Sequence, residues 1–264
     1  MSLRSVGRRR VVGLFAMLLL TATVPVSLRA QDAPKIDRAA LGRRVMTYYT
    51  KPEPEKFVEL VRLMVEAKVL RTGRPEANVV FLAKVMQANP DKLSEWLDAL
   101  ADLEAADAEI LRKAAWASLT DQGKKWLTDH GHAELAKKPG PPLLVGGPMA
   151  FEPYHLDQLW EWFFATGEEQ PVRRVIGFMN LLPSDPQPGE LPKPPANAQD
   201  RVAAANFRVG QPAFMSTLSL AIQQEKVFEI LKKTEKDPAL QPRAKAWLKN
   251  AIDIATVERA KRGT

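Results

Sequence analysis

The chain has 264 residues, no cysteine, and 38 basic against 31 acidic side chains. Hydrophobic residues make up 45% of the chain and charged residues 26%, which is the composition of a globular protein and excludes a disordered or fibrous one. The lack of cysteine excludes disulfide bonds and cysteine-based nucleophilic catalysis.

Residues 1–30 have the layout of a secretory signal peptide. Four arginines in the first ten positions precede an uncharged run from Val11 to Leu28, and Ala30 offers a small residue for cleavage. We therefore expect a periplasmic or secreted protein. Two alternatives stay open: an uncleaved segment would tether the chain to the inner membrane, and the paired arginines would fit export by the twin-arginine route.

Most of the excess positive charge belongs to this segment. Removing residues 1–30 takes away five arginines and no acid, which leaves 33 basic against 31 acidic side chains, a net charge of +2. Nucleic-acid binding needs a dense basic patch, for which the mature chain has little excess charge. No nucleic-acid partner is expected, and membrane contact is expected only if the signal segment is retained.

Apolar residues of the mature chain recur with the i, i+3, i+4, i+7 spacing of helices that bury one face. No comparable run alternates with the period of two that indicates a strand. Because most connections are short, the sequence predicts an all-α protein of stacked antiparallel helical hairpins, either solenoid-like or an irregular array. The predicted helices lie near residues 37–49, 53–70, 76–88, 91–102, 105–118, 121–136, 154–166, 170–182, 198–209, 213–235 and 240–260.

Two proline-rich segments interrupt the helical pattern. Residues 138–153 form a Gly/Pro-rich loop with an apolar centre, inside a helical-hairpin region of residues 31–182. Residues 183–197 have the composition of an extended linker, since proline is abundant there. We expect the C-terminal helices, in residues 198–264, to pack back on the first region, and we expect Pro212 to open one of them.

Two stretches of the chain carry a resemblance. One is Tyr48–Pro54 followed by Ala88–Asp91 and Trp96, and the other is Leu156–Trp160 followed by Phe164–Gly167. Together they resemble a loose group of exported bacterial all-helical proteins that has no assigned activity. The resemblance implies export and an all-helical fold, and it carries over no catalytic residues.

Histidines are the candidate metal ligands. His130 and His132 are two positions apart, and Gly131 between them favours a helix break that would let the two imidazoles converge. A metal site needs further ligands held rigidly, and the sequence identifies no third one nearby. The alternative is a solvated helix end. No cofactor is expected.

Paired carboxylates are the candidate acids. Asp157 and Glu161 are four positions apart on a predicted helix. A wall-cleaving enzyme would need one such acid with a raised pKa in a cleft. Because helix-surface acids seldom have the burial that shifts a pKa, we expect a solvated polar stripe instead.

The strongest candidate for a binding site is an aromatic cluster. Six of the 19 aromatic residues fall within fourteen positions: Phe151, Tyr154, Trp160, Trp162, Phe163 and Phe164. Trp162 lies off the apolar stripe that contains Trp160 and Phe163. It therefore either packs against a third layer or forms an exposed anchor for a partner, with Phe151, Tyr154 and Phe164 beside it.

The sequence thus favours an exported, non-enzymatic helical protein that binds a protein or an envelope component. The alternative is a periplasmic enzyme or metal-binding factor that uses His130, His132 and nearby acids. The sequence sets neither the ligand nor the oligomeric state.

Overall fold

A computed structural model describes residues 36–145, 152–197 and 200–263 of the chain. The regular elements in these ranges are all helices, which confirms the prediction of an all-α protein. None of these helices is long and apolar enough to cross a membrane. The predicted signal peptide at residues 1–30 lies outside the described residues.

In chain order the α-helices are α1 (Arg38–Met46), α2 (Phe57–Glu66), α3 (Pro75–Ala88), α4 (Leu93–Ala99), α5 (Ala105–Ala117), α6 (Asp121–Asp129), α7 (Ala133–Ala136), α8 (Pro142–Val145), α9 (Tyr154–Thr166), α10 (Glu169–Gly177), α11 (Arg201–Gln223), α12 (Glu225–Glu235) and α13 (Pro242–Arg262).

Local chemistry sets several helix boundaries. Asp37 and Asp200 cap the N-termini of α1 and α11, and each carboxylate accepts two backbone N–H groups of the first turn. Thr120 caps α6 in the same way with one such bond. At its other end α9 stops at Gly167, which has a φ of 68°. A Cβ at Gly167 would lie 2.9 Å from the ring of Tyr49, so this end requires glycine.

The helix α9 is buried on both sides. It packs against α3, α10 and α1. Leu159 and Phe163 are fully buried on one face, and Trp162 is buried on another. A helix that is apolar nearly all round belongs in the interior of a protein, and its few polar side chains must then find partners or line a cavity.

The C-terminal helices α11, α12 and α13 pack on one another and on α10. The proline-rich segment lies along α13, held by side chains of that helix. Trp247 Nε1 donates a hydrogen bond to the carbonyl oxygen of Ser184 at 2.7 Å, and Asn250 Nδ2 donates one to that of Glu190 at 2.7 Å. These bonds fix the segment against the helix.

The Gly/Pro-rich stretch at 138–153 contains the short helix α8. Leu143 of α8 is buried, and Arg174 Nη1 donates a hydrogen bond to its carbonyl oxygen at 2.7 Å. Residues 146–151 of this stretch lie outside the described residues. The described part of the stretch is therefore attached to α10 through Arg174.

Pro212 does not open a helix, so that prediction is wrong. Helix α11 continues through Pro212, and the break falls at Gln224, whose extended backbone has φ −126° and ψ 116°. A proline inside a helix removes one backbone hydrogen bond and strains the preceding turn. Ala213 and Phe214 are fully buried directly after it, so the packing of a continuous helix offsets this cost.

Candidate functional site

One face of α9 lines a cavity. Asp157, Trp160, Glu161 and Phe164 have the i, i+3, i+4, i+7 spacing that places their side chains on one side of a helix, and all four contribute to the cavity wall. The facing wall includes Gly42 of α1. The cavity has a volume of about 430 Å³, which is in the range of sites for small molecules.

Apolar side chains make up most of the remaining wall. They come from α1, α2, the turn after α2, and α11, and they are Leu41, Val45, Met46, Met64, Val69 and Leu220. Between them lie a few polar groups, including Asn78 of α3 and Ser219 of α11. An apolar cavity with a small number of polar groups is the usual composition of a ligand site.

Glu161 is the buried acid of this cavity. The residue as a whole is half-buried, but its Oε2 is shielded from solvent and has no hydrogen-bond partner among the described residues. Burial raises the pKa of Glu161 to about 8; the charge of Asp157 acts in the same direction, and Arg74 opposes it. At neutral pH the carboxyl is therefore mostly protonated and neutral.

Asp157 is partnered, in contrast to Glu161. Arg74 Nη1 lies 2.5 Å from Asp157 Oδ1. Burial raises the pKa of Asp157, and Arg74 counteracts this shift. The guanidinium of Arg74 thus pairs with Asp157, whereas burial holds Glu161 mostly neutral at neutral pH.

A second cavity, of about 590 Å³, adjoins the first. Both cavities are lined by Arg74, Asp157, Trp160 and Ser216. Trp160 Nε1 donates a hydrogen bond to Ser216 Oγ at 2.9 Å, which holds the indole in place where the two cavities meet. Tyr154 lines the second cavity and is 51% exposed. We call the two cavities together the α9 cleft.

The other two aromatic residues that the sequence predicted beside Trp162 are Phe164 and Phe151. Phe164 is buried and lines the first cavity. Phe151 lies outside the described residues. A contact between a partner and Phe164, Tyr154 or Phe151 stays a prediction.

Trp162 packs away from the cleft, on the side of α3. It is 4% exposed, so its side chain does not form the exposed anchor that the sequence left open. Lys84 Nζ lies 3.8 Å from the centre of the Trp162 ring, and Trp162 Nε1 donates a hydrogen bond to Glu168 Oε2 at 3.0 Å. Burial lowers the pKa of Lys84, and Glu168 opposes that shift. The indole therefore covers a buried cation.

The two candidate metal ligands lie at the end of α6. The ring of His130 stacks on Trp126 with the centroids 4.2 Å apart, and its Nε2 lies 3.4 Å from Asp98 Oδ1. No group of three or more metal-ligating side chains occurs in the part of the chain that the structure describes. Metal binding by His130 and His132 stays a prediction.

Asp157 and Glu161 do not form a solvated stripe, so that expectation is wrong. Their face of α9 lines the first cavity together with residues of α1 and α11, and burial there raises the pKa of both carboxyls. A signal for this site was present in the sequence. The two acids share their helical face with Trp160 and Phe164, and large aromatic side chains on the same stripe indicate burial.

No protein-family model matches the chain, and no curated protein or solved structure matches it. The geometry of the α9 cleft and the chemistry of its side chains therefore carry the functional conclusion.

Proposed function

We propose that the chain is an exported, non-enzymatic helical protein whose ligand, an envelope component, occupies the α9 cleft. The observation that carries this proposal is a largely apolar cavity of about 430 Å³ whose wall includes the mostly neutral Glu161. A ligand with apolar surface gains free energy by burying that surface against the apolar wall.

The polar side chains of the cleft suit recognition better than nucleophilic catalysis. Ser216 Oγ accepts the bond from Trp160 and donates one to the carbonyl oxygen of Ala213 at 3.3 Å, so this hydroxyl positions the indole. The guanidinium of Arg74 is held by Asp157. The cleft thus has walls from five helices, α1, α2, α3, α9 and α11, and walls that are fixed before binding reduce the entropy cost of binding.

Export supports the envelope as the source of the ligand. It is inferred from the signal-like residues 1–30, and retention of that segment would place the cleft at the inner membrane instead. The mass of the mature N-terminus distinguishes a released protein from a tethered one.

Filling the cleft tests the proposal. Gly42 lies on α1 in the cavity wall, and a Cβ there meets no atom within 4 Å, so a side chain can be added without a backbone clash. We expect the indole of Gly42→Trp to occupy part of the cavity. Gly177, the last residue of α10, has equally open surroundings and lines neither cavity. Gly177→Trp is therefore the matched control.

We expect material from envelope extract to be retained by the wild-type chain and by Gly177→Trp, and to be lost with Gly42→Trp. Mass spectrometry of the retained fraction identifies it. Equal retention by all three proteins would reject the cleft as the binding site.

Zinc titration tests the alternative, a metal-binding factor that uses His130 and His132. Calorimetry compares the wild-type chain with the His130→Ala/His132→Ala double variant. Identical titration curves would rule out a metal site at these histidines.

A further inference from the structure

The titratable side chains of the first cavity leave it with an excess of positive charge at neutral pH. They are Arg38 of α1, Arg74 in the turn before α3, and Asp157 and Glu161 of α9. Arg74 pairs with Asp157, and Glu161 is mostly neutral because burial raises its pKa to about 8. The remaining side chains of the wall are uncharged. One charge, that of the Arg38 guanidinium, is therefore uncompensated.

Arg38 is the first residue of α1 and is exposed where it lines the cavity. The acid next to it in sequence, Asp37, accepts the backbone N–H groups of Ala39 and Ala40 and lies 4.0 Å from Arg43 instead. Among the described residues Arg38 has no ion pair. An arginine at the edge of an apolar cavity lays its methylene groups on the apolar wall and keeps its guanidinium available for an anion.

The face of α1 behind Arg38 is apolar and open. Arg38, Leu41, Gly42 and Val45 have the i, i+3, i+4, i+7 spacing of one helical face, and all four line the first cavity. This face extends for about 10 Å along the helix axis. A Cβ at Gly42 meets no atom within 4 Å, so there is free space over the middle of the face. A hydrocarbon tail has room there, against Leu41 and Val45, with Met64 of α2 in the same wall.

The second cavity has the opposite charge. Its titratable side chains are Arg74, Glu76, Tyr154 and Asp157. Since Arg74 pairs with Asp157, the carboxylate of the exposed Glu76 is left over. An anionic head group is therefore favoured at the Arg38 side of the α9 cleft and disfavoured at the other.

We propose, on the basis of the proposed function, that the first cavity binds an organic monocarboxylate with an alkyl tail, its carboxylate on the guanidinium of Arg38 and its tail on the apolar face of α1. The planar guanidinium suits a carboxylate, because the two groups form two parallel hydrogen bonds. One uncompensated charge matches a monoanion. A phosphate monoester carries a charge of about −1.5 to −2 and would add negative charge beside Asp157. Binding forms no covalent bond.

Ionisation of Glu161 makes the affinity depend on pH. The charged side chains that line the cavity with Glu161 are Asp157 of the same helix, Arg74 and Arg38; α2, α3 and α11 contribute none. Above pH 8 the Glu161 carboxylate adds a negative charge that repels the ligand anion. Affinity for a carboxylate then falls by up to about tenfold between pH 7 and pH 9. An alkyl carboxylate is itself ionised throughout this range, as an exposed glutamate is.

Calorimetry with three probes of one shape tests the proposal. Octanoate, octan-1-ol and octylamine carry a negative, a neutral and a positive head on the same tail. They are titrated into the purified full-length chain at pH 7 and pH 9, in a buffer of low ionic strength because salt screens an exposed charge pair.

Two pairs of variants and one single variant complete the experiment. Arg38→Gln removes the uncompensated charge, and Arg43→Gln removes an exposed charge of α1 that lines neither cavity. Gly42→Trp obstructs the space for the tail, and Gly177→Trp is its control. Glu161→Gln removes the group that titrates near pH 8. Circular dichroism establishes that each variant is folded.

We expect octanoate to bind the wild-type chain, Arg43→Gln and Gly177→Trp more tightly than octylamine does. Arg38→Gln should lose about tenfold in affinity for octanoate and none for octan-1-ol, because only the charge pair is absent. Gly42→Trp should show no heat of binding with either probe. The wild-type affinity for octanoate should be up to about tenfold lower at pH 9 than at pH 7, and that of Glu161→Gln should be equal at the two pH values.

Three results would overturn the assignment of the ligand class: no binding of octanoate, tighter binding of octylamine than of octanoate, or equal affinity of the wild-type chain and Arg38→Gln for octanoate. Because Arg38 is exposed, this last comparison decides even if Gly42→Trp fails to fold. Binding of octan-1-ol or octylamine that Gly42→Trp abolishes would then leave the cleft as a ligand site of another class. If, in addition, envelope material is retained equally by the wild-type chain and Gly42→Trp, the proposed function fails as well.

Discussion

Asp157 and Glu161 lie one turn apart on the same face of α9, yet the ion pair with Arg74 is made by Asp157, and an oxygen of Glu161 is left without a partner. The two acids face the same cavity and differ in charge at neutral pH, since burial and the charge of Asp157 raise the pKa of Glu161 to about 8. A buried group that is held neutral in this way weakens the fold as soon as it is forced to ionise.

The first prediction concerns this cost. In the unfolded chain Glu161 ionises near its ordinary value of 4.5, and in the folded chain near 8, so the folded state holds a proton that the unfolded state releases. The stability of the wild-type chain should therefore fall as the pH rises from 5 to 8. Glu161→Gln removes this loss, and we expect it to be more stable than the wild-type chain at pH 8 by about 2–4 kcal/mol.

Urea denaturation at pH 5 and pH 8 measures this difference. Glu66→Gln, at an exposed position of α2, is the control and should follow the wild-type curve at both pH values. A Glu161→Gln variant with the same pH dependence as the wild-type chain would show that Glu161 ionises as readily in the folded chain as in the unfolded one.

The second prediction concerns Trp162. Its indole is 4% exposed, covers the ammonium of Lys84 and donates a hydrogen bond to Glu168. Trp162→Ala removes all of these contacts, and we expect a loss of about 3–5 kcal/mol in the free energy of unfolding. Thermal and urea denaturation measure it. Trp162→Phe keeps a ring over Lys84 and should lose less; a Trp162→Ala variant as stable as the wild-type chain would contradict the packing described above.

The helical class could be predicted from the sequence because it depends on local spacing. Phe57, Leu60, Val61 and Met64 follow the helical template, and all four are buried in α2. The position of the cleft could not be predicted, because it depends on which helices cover α9. Asp157 and Glu161 would be solvated on an exposed helix, and the placement of α1 and α11 around the cavity on that face is a long-range property.

The third prediction concerns Pro212, where the preference of proline for the first turn of a helix gave the wrong helix start. The proline lies inside α11 and leaves the carbonyl oxygen of Arg208 without its helical donor. Pro212→Ala supplies that N–H at an exposed position, and we expect the protein to gain about 1–3 kcal/mol in stability. Denaturation midpoints measure the gain. A less stable Pro212→Ala variant would mean that the ring of Pro212 is required for the packing of Phe214.

The last prediction concerns the attachment of the proline-rich segment. Asn250 of α13 bonds to this segment twice: its Oδ1 accepts from the N–H of Gly189 at 2.8 Å, and its Nδ2 donates to the carbonyl oxygen of Glu190 at 2.7 Å. Asn250→Ala leaves both backbone groups without partners, which costs about 1–3 kcal/mol for each group that stays buried. We therefore expect Asn250→Ala to detach the segment and to speed proteolytic cleavage within residues 183–197.

Limited proteolysis with peptide mapping measures the rate and the position of the cuts. Asn250→Asp keeps the acceptor for Gly189 and loses the donor to Glu190, so its cleavage rate should lie between those of the wild-type chain and Asn250→Ala. Equal cleavage of all three proteins would show that the bonds of Trp247 and the packing of the prolines suffice to hold the segment on α13.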